Sequence, residues 1–196
     1  MPANHQPEGH PTQPAATFPS TWKATLLPAR PLILPRRTYT YPAHADEVER
    51  GALELLITPR NADPFLATCA LGFADPLAPS GIWPTPNPDQ LCAAAGGYVY
   101  LIDTTQPTLF EQLPYRPVYS IHPAPAAGLL LFTGSRSILA YGAQGREWES
   151  PHLSDEGLTI TSIHSTTLTG TAWHLATDRE LPFTLNLSNG SIAVTN

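Results

Sequence analysis

SIHPAPAAGLLLFTGSRSILAYGAQGREW (residues 120–148) is followed by a second stretch of the same build, SIHSTTLTGTAWHLATDRELPFTLNLSNGSI (162–192). The Ser-Ile-His triplets begin at Ser120 and Ser162, 42 residues apart, and Gly128 and Gly170 keep the same offset. The turn glycines Gly145 and Gly190 are 45 apart, and a three-residue insertion around Asp178–Leu181 accounts for the change. A period of about 40–45 residues divided into short strands is the sequence mark of a propeller blade. Each copy alternates apolar and turn-forming residues, and neither shows a helical period.

Outward from the repeat, the same grain continues. Short apolar runs at 98–103, 110–113, 118–122, 129–132, 137–141, 146–150, 158–164, 167–173, 182–187 and 191–194 are separated by TTQP, PAPAAG, TGSR, GAQG, SDEG and SNG. ALELLIT (52–58) places Leu53, Leu55 and Ile57 on one side, and PFLATCALGF (64–73) is a continuous apolar run of strand length. The fold class is therefore all-β, an antiparallel meander of about three blade-like units over residues 52–194. Closed propellers use about four to eight blades. Three units leave the meander open, curled, or collapsed into a sandwich. Unpaired edges invite association, and proteins cover them with added strands or proline.

The N-terminal part is built differently. Nine prolines fall within residues 1–45 (positions 2, 7, 11, 14, 19, 28, 31, 35 and 42), and each removes a backbone donor. The expected organisation is a disordered Pro-rich tail over 1–20, an extended arm packing on the body over 21–46, and the repeat domain over 47–196. Asp46 and Glu49 have capping-box spacing, but Gly51 and the alternation after it favour a strand. DPLAPSGIWPTPNPDQL reads as a long surface loop over 75–90, the kind of loop that is often functional.

Composition narrows the function classes. The chain has 196 residues, 23 of them proline, and 13% are charged. Typical domains have about 5% proline and about 25% charged residues. Helical bundles and coiled coils are excluded, since both need charged faces and few helix breakers. The net charge of −6 gives no footprint for nucleic acid. A local excess of bases at Lys23, Arg30, Arg36 and Arg37 reads as a solvated segment. Residues 1–20 lack Lys, Arg and any apolar core, so no secretory leader is read there, and no run is long enough for a membrane helix. The expected setting is cytoplasmic, with no membrane contact.

The closing hairpin ILAYGAQGREWES, with a Gly turn and a Trp shortly after, resembles the blade hairpins of quinoprotein- and WD-type propellers. FTLNLSNGSIAV repeats the shape without the Trp, and YVYLIDTTQPTLFEQL is a looser third copy. The segment from GGYVYLIDT onward is also similar to bacterial proteins of unassigned function. The resemblance covers residues 98–194 and implies architecture alone. The metal-ligand residues of quinoproteins find no match, so no cofactor is expected.

Candidate chemistry is sparse. G-x-S-x-G, G-x-G-x-x-G and the phosphate-loop motif are absent. Cys69 and Cys92 sit in apolar settings and read as buried hydrophobes, with a disulfide as the alternative. His122 and His164 recur at equivalent strand ends, but repeated polar residues commonly satisfy neighbouring backbone, and zinc needs three or four converging ligands. With His174 and Asp103 they form the alternative pocket set, while His152 stands isolated. TDRE and SDEG read as solvated hairpin tips, without the oxygen spacing of a calcium loop. No metal site is expected. Trp, Tyr and Arg dominate interface hot spots. The binding candidates are therefore Trp83 in its Pro-rich loop, Tyr39 and Tyr41 after Arg36 and Arg37, and Tyr115 with Arg116.

These observations favour a non-enzymatic interaction or scaffold module with a protein partner, monomeric or paired with a second copy through its edges. The first alternative is a small-molecule binder or hydrolase with a pocket at the open end of the meander. The second is a structural subunit that completes its sheet in trans.

Overall fold

The computed structural model describes residues 17–43, 50–72 and 77–193. The tail expected at 1–20 lies mostly outside them, as do the capping-box positions and the boundary expected between arm and body. Fifteen strands and no α-helix are described, in four small sheets, none closed on itself. Among the described residues no helix is long and apolar enough to cross a membrane.

Strands β1 (Trp22–Leu27), β2 (Arg37–Tyr41), β3 (Ala52–Pro59) and β4 (Phe65–Ala70) form the first sheet, in the order β1-β3-β4-β2. The second is β5 (Gly81–Pro84), β6 (Gln90–Ala95), β7 (Tyr98–Asp103) and β8 (Phe110–Gln112), in chain order. The third runs from β9 (Ser120–Ala124) through β10 (Leu129–Thr133) and β11 (Ile138–Gly142) to β12 (Gly145–Glu149). The fourth is β13 (Leu158–Ile163), β14 (Thr167–His174) and β15 (Arg179–Asn186). Beside β15, Ile192 forms an isolated bridge with Leu185, and the Ala193 N–H donates to the Thr184 carbonyl at 2.8 Å.

The length arithmetic gives about three units, whereas the chain builds four sheets. The difference lies in the arm. Its two strands flank the β3–β4 hairpin, β1 antiparallel to β3 and β2 parallel to β4, so these four strands make a sheet of their own. The 75–90 stretch also contains strand β5. Its proline, Pro84, ends an edge strand, where the missing donor costs no ladder bond.

The sheets stack in series, and burial patterns record the position of each. Between the first and second sheets lie Leu53, Leu55, Ile57, Phe65 and Cys69 against Leu91, Ala93, Tyr100 and Ile102. Between the second and third lie Cys92, Ala94, Val99 and Leu101 against Leu130, Phe132 and Tyr141. Between the third and fourth lie Leu129, Leu131, Ile138, Ala140 and Trp148 against Leu168, Leu185 and Leu187. Strands β6, β7 and β10 are covered on both faces, so they read as unbroken apolar runs. Strand β14 is covered on one, and alternates strictly: Leu168, Gly170 and Ala172 inward, Thr167, Thr169 and Thr171 outward.

The first and second sheets are tied on both sides. On the β1 side the Trp22 indole N–H donates to the carbonyl of Gln90, the first residue of β6, at 3.2 Å. At the opposite edge Tyr41 packs on Phe110, centroids 4.9 Å apart, and its hydroxyl donates to the Pro107 carbonyl at 2.8 Å. No apolar cluster among the described residues joins the fourth sheet to the first. Among the described residues the series of sheets therefore stays open, an arc that does not close on itself.

Repeat glycines test this packing. Gly128 and Gly190 both hold left-handed backbone, φ 67° and 69°. A Cβ at Gly128 meets nothing within 4 Å, while one at Gly190 lies 2.4 Å from the Trp148 ring. Gly128→Ala is expected to cost about 1–2 kcal/mol of backbone strain. Gly190→Ala is expected to cost clearly more, because Trp148 must also leave its seat. Chemical denaturation of both variants measures the two losses, and equal losses would contradict the packing.

Candidate functional site

The aromatic candidates are largely used by the fold. Tyr41 is buried, with its hydroxyl committed to Pro107. Tyr39 is half-buried, edge-on to Phe65 at 5.4 Å, with the Arg37 guanidinium 5.9 Å from its ring centre. Trp83 lies in β5, half-buried against the core between the second and third sheets. These three are not brought together with Tyr115 and Arg116 into one exposed patch.

Tyr115 and Arg116 do share a feature. The Tyr115 hydroxyl accepts the Gly134 N–H at 2.7 Å and donates to the Ser137 carbonyl, which fastens the 115–117 linker to the β10–β11 turn. Arg116 lies over the Tyr98 ring, 4.9 Å from its centre. Both line a shallow hollow of about 140 Å³ with Pro117 and Gly134–Ser137.

The histidines of the repeat have local partners. Ser120 Oγ and His122 Nε2 are 2.7 Å apart, and Ser162 Oγ and His164 Nε2 are also 2.7 Å apart. Residues i and i+2 share one face of a strand, so each triplet closes its own hydrogen bond. The repeat therefore carries a structural device, and the two imidazoles stand on different sheets. Asp103 holds the turn after β7: its Oδ1 accepts from the Thr105 amide at 2.8 Å, the Thr105 hydroxyl at 2.7 Å and the Gln106 amide at 3.0 Å. Burial works against ionisation there, but those three donors outweigh it and hold the carboxyl below its ordinary range.

His174 is the member of the alternative pocket set that lines the larger hollow, about 280 Å³, beside the fourth sheet. His152, Leu153, Leu181, Phe183 and Ile192 line it too. His152 Nε2 is 3.2 Å from Asp155 Oδ1, and Asp155 Oδ2 accepts the Leu175 N–H at 2.8 Å. That amide bond, then the contact with His152, lower the Asp155 pKa. The two histidines are 22 positions apart in sequence. Only the β13–β14 hairpin brings them to one hollow, a closure that neither residue's local sequence signals. No group of three or more His, Cys, Asp or Glu among the described residues is placed to hold a metal ion.

Cys69 and Cys92 are free thiols, fully buried in different clusters. Burial raises both pKa values far above the ordinary thiol range, with Glu54 adding to the effect at Cys69 and Cys69 at Cys92.

No family model and no curated protein matches the sequence. Among solved structures, the crystal structure of the N-terminal domain of Nup159, a β-propeller, matches with 10% identity and a TM-score of 0.38. The match covers 92% of this chain and 52% of that one, so the chain spans about half of the length of the matched structure. A likeness this loose carries no functional argument.

These environments can be measured in two ways. Both thiols are expected to resist alkylation in the native protein and to react together on unfolding; rapid labelling of either in the native state would contradict their burial. Burial also holds the His122 pKa below its ordinary 6.5. The unfolded chain takes up that proton first, so this contribution to stability is lost as pH falls below about 6.5 toward the folded value. His122→Gln is expected to flatten that part of a pH–stability curve, and an unchanged slope would contradict the assignment.

Proposed function

We propose that the chain is a non-enzymatic protein-interaction module that works through the strap at the first-sheet end of its stack. The observation that carries this reading is the strap between β1 and β2. It crosses the face of the first sheet that points away from the second, pinned where Arg30 Nη1 donates to Thr68 Oγ1 at 2.9 Å and meets Glu54 at 3.5 Å. Beyond that pin, Leu32 and Ile33 are 103% and 90% exposed, and Leu34 is 47% exposed. Three consecutive exposed apolar residues on an anchored strap mark an interaction surface.

The partner we assign to this face is the fourth sheet of a second copy. The strap end carries Lys23 and Arg36 beside the Arg30–Glu54 pair, while the loops and last strand of the fourth sheet carry Asp155, Glu156, Asp178 and Glu180 against Arg179. Opposite charge on the two ends of one arc suits head-to-tail joining. Two identical joints related by a two-fold axis close a ring of eight sheets, within the range of closed propellers. The exposed threonines Thr159 and Thr161 lie on the receiving face, with Trp173 at the far end of the outward row of β14.

The hollow of about 280 Å³ at His152 and His174 favours a second reading, a binding site for a small apolar ligand with a polar end.

Sedimentation equilibrium tests the first reading. The expected species is a dimer at micromolar concentration, weakened by high salt. Leu32→Asp with Ile33→Asp is expected to give a folded monomer whose thermal unfolding no longer depends on protein concentration, since the two side chains are exposed in the fold. A wild-type chain that stays monomeric at all accessible concentrations would overturn the assigned partner.

A further inference from the structure

We propose that the hollow between the 115–117 linker and the β10–β11 turn is a binding site for a phosphate monoester. This site stands apart from the dimer contact and does not depend on it.

The site is lined by Tyr115, Arg116, Pro117 and Gly134–Ser137. Arg116 and Arg136 both reach it, and neither guanidinium has a carboxylate within ion-pair distance among the described residues. The nearest acid tied into the cluster is Glu149, which accepts the Ser137 hydroxyl at 3.0 Å. Its other oxygen pairs with Arg146 at 2.8 Å, which offsets part of the charge it directs at Tyr115. Two unpaired guanidinium groups around one small hollow repel each other, and an oxyanion between them removes that repulsion.

The walls are built before any ligand arrives. Tyr115 fastens linker to turn through Gly134 and Ser137, and the Tyr98 ring fixes the height of Arg116. Ser135 and Arg136 form a bend, and their amides make no intrachain hydrogen bond among the described residues. Free amides in a bend, with a hydroxyl at Ser135, supply the donors that line an anion concavity. A planar guanidinium fork matches the paired oxygens of phosphate better than a point cation does. The volume of about 140 Å³ admits one phosphate group with its ester carbon and leaves no room for an extended apolar ligand. The chemistry is shared by a phosphorylated side chain and a small phosphate ester or free phosphate, and titration separates the sources.

Titration of the ¹⁵N-labelled full chain with inorganic phosphate, O-phosphoserine and acetate tests the site. Saturable shifts are expected at Arg116 and Gly134–Ser137 with both phosphates and not with acetate. Tighter binding of O-phosphoserine would assign the site to phosphate on a side chain, and equal binding to the free anion. Arg136→Gln, which removes no contact within the fold, is expected to weaken binding by about tenfold or more. Arg116→Lys keeps the positive charge but loses the planar group that lies over Tyr98 and forms the fork, so it is expected to fall between. Shifts that grow linearly without saturation, that appear equally with acetate, or that survive Arg136→Gln would overturn the proposal.

Discussion

A β-sheet with apolar side chains on both faces needs a neighbour on each side, and the arrangement of this molecule comes from meeting that need in series. Strands β6, β7 and β10 carry Leu, Val, Ala and Tyr without alternation, so the second and third sheets must each be sandwiched. Each fully buried Leu or Phe in those layers contributes about 1.5–3 kcal/mol over its exposed state. The fourth sheet stops the series in one direction with a threonine face, which water tolerates.

At the other end the solution is different. Strand β4 is buried on both faces, yet no fifth sheet covers it. The strap does, and it brings Arg30 over Glu54 and Thr68. A carboxylate this buried is costly without partners, and Thr68 donates to it at 2.8 Å while Arg30 adds its charge. The prolines that exclude regular structure from the strap also keep it extended across the sheet. The result is a covered sheet whose cover is itself apolar on the outside, and that residual surface is the basis of the interaction reading.

Much of the repeat region was legible because strand period, turn glycines and the 42-residue spacing agree with one another. The role of the arm was less so. Proline density identifies an extended segment, but nothing local in RTYTYP says that it will lie parallel to FLATCA, since that register is set by Tyr41 reaching Phe110 some 70 residues on. Trp83 misleads for a related reason: five surrounding prolines suggest a loop, whereas four residues suffice for an edge strand that needs few donors. The Ser-His pairs could be read as a repeat but not as a hydrogen bond, and the Arg116–Arg136 hollow depends on a contact between linker and turn that only the fold creates.

The central claim is that the four sheets stack in series and the two end faces of one chain stay apart. The most direct test is an intrachain distance between spin labels on cysteines introduced at Thr25, on the outer face of the first sheet, and Thr161, on the outer face of the fourth. Both native thiols are buried, and a large excess of unlabelled chain removes distances between copies. The account predicts no population near the separation of about 10 Å at which packed sheets lie. A dominant short distance in that range would mean that the fourth sheet closes on the first, and would contradict the open arc.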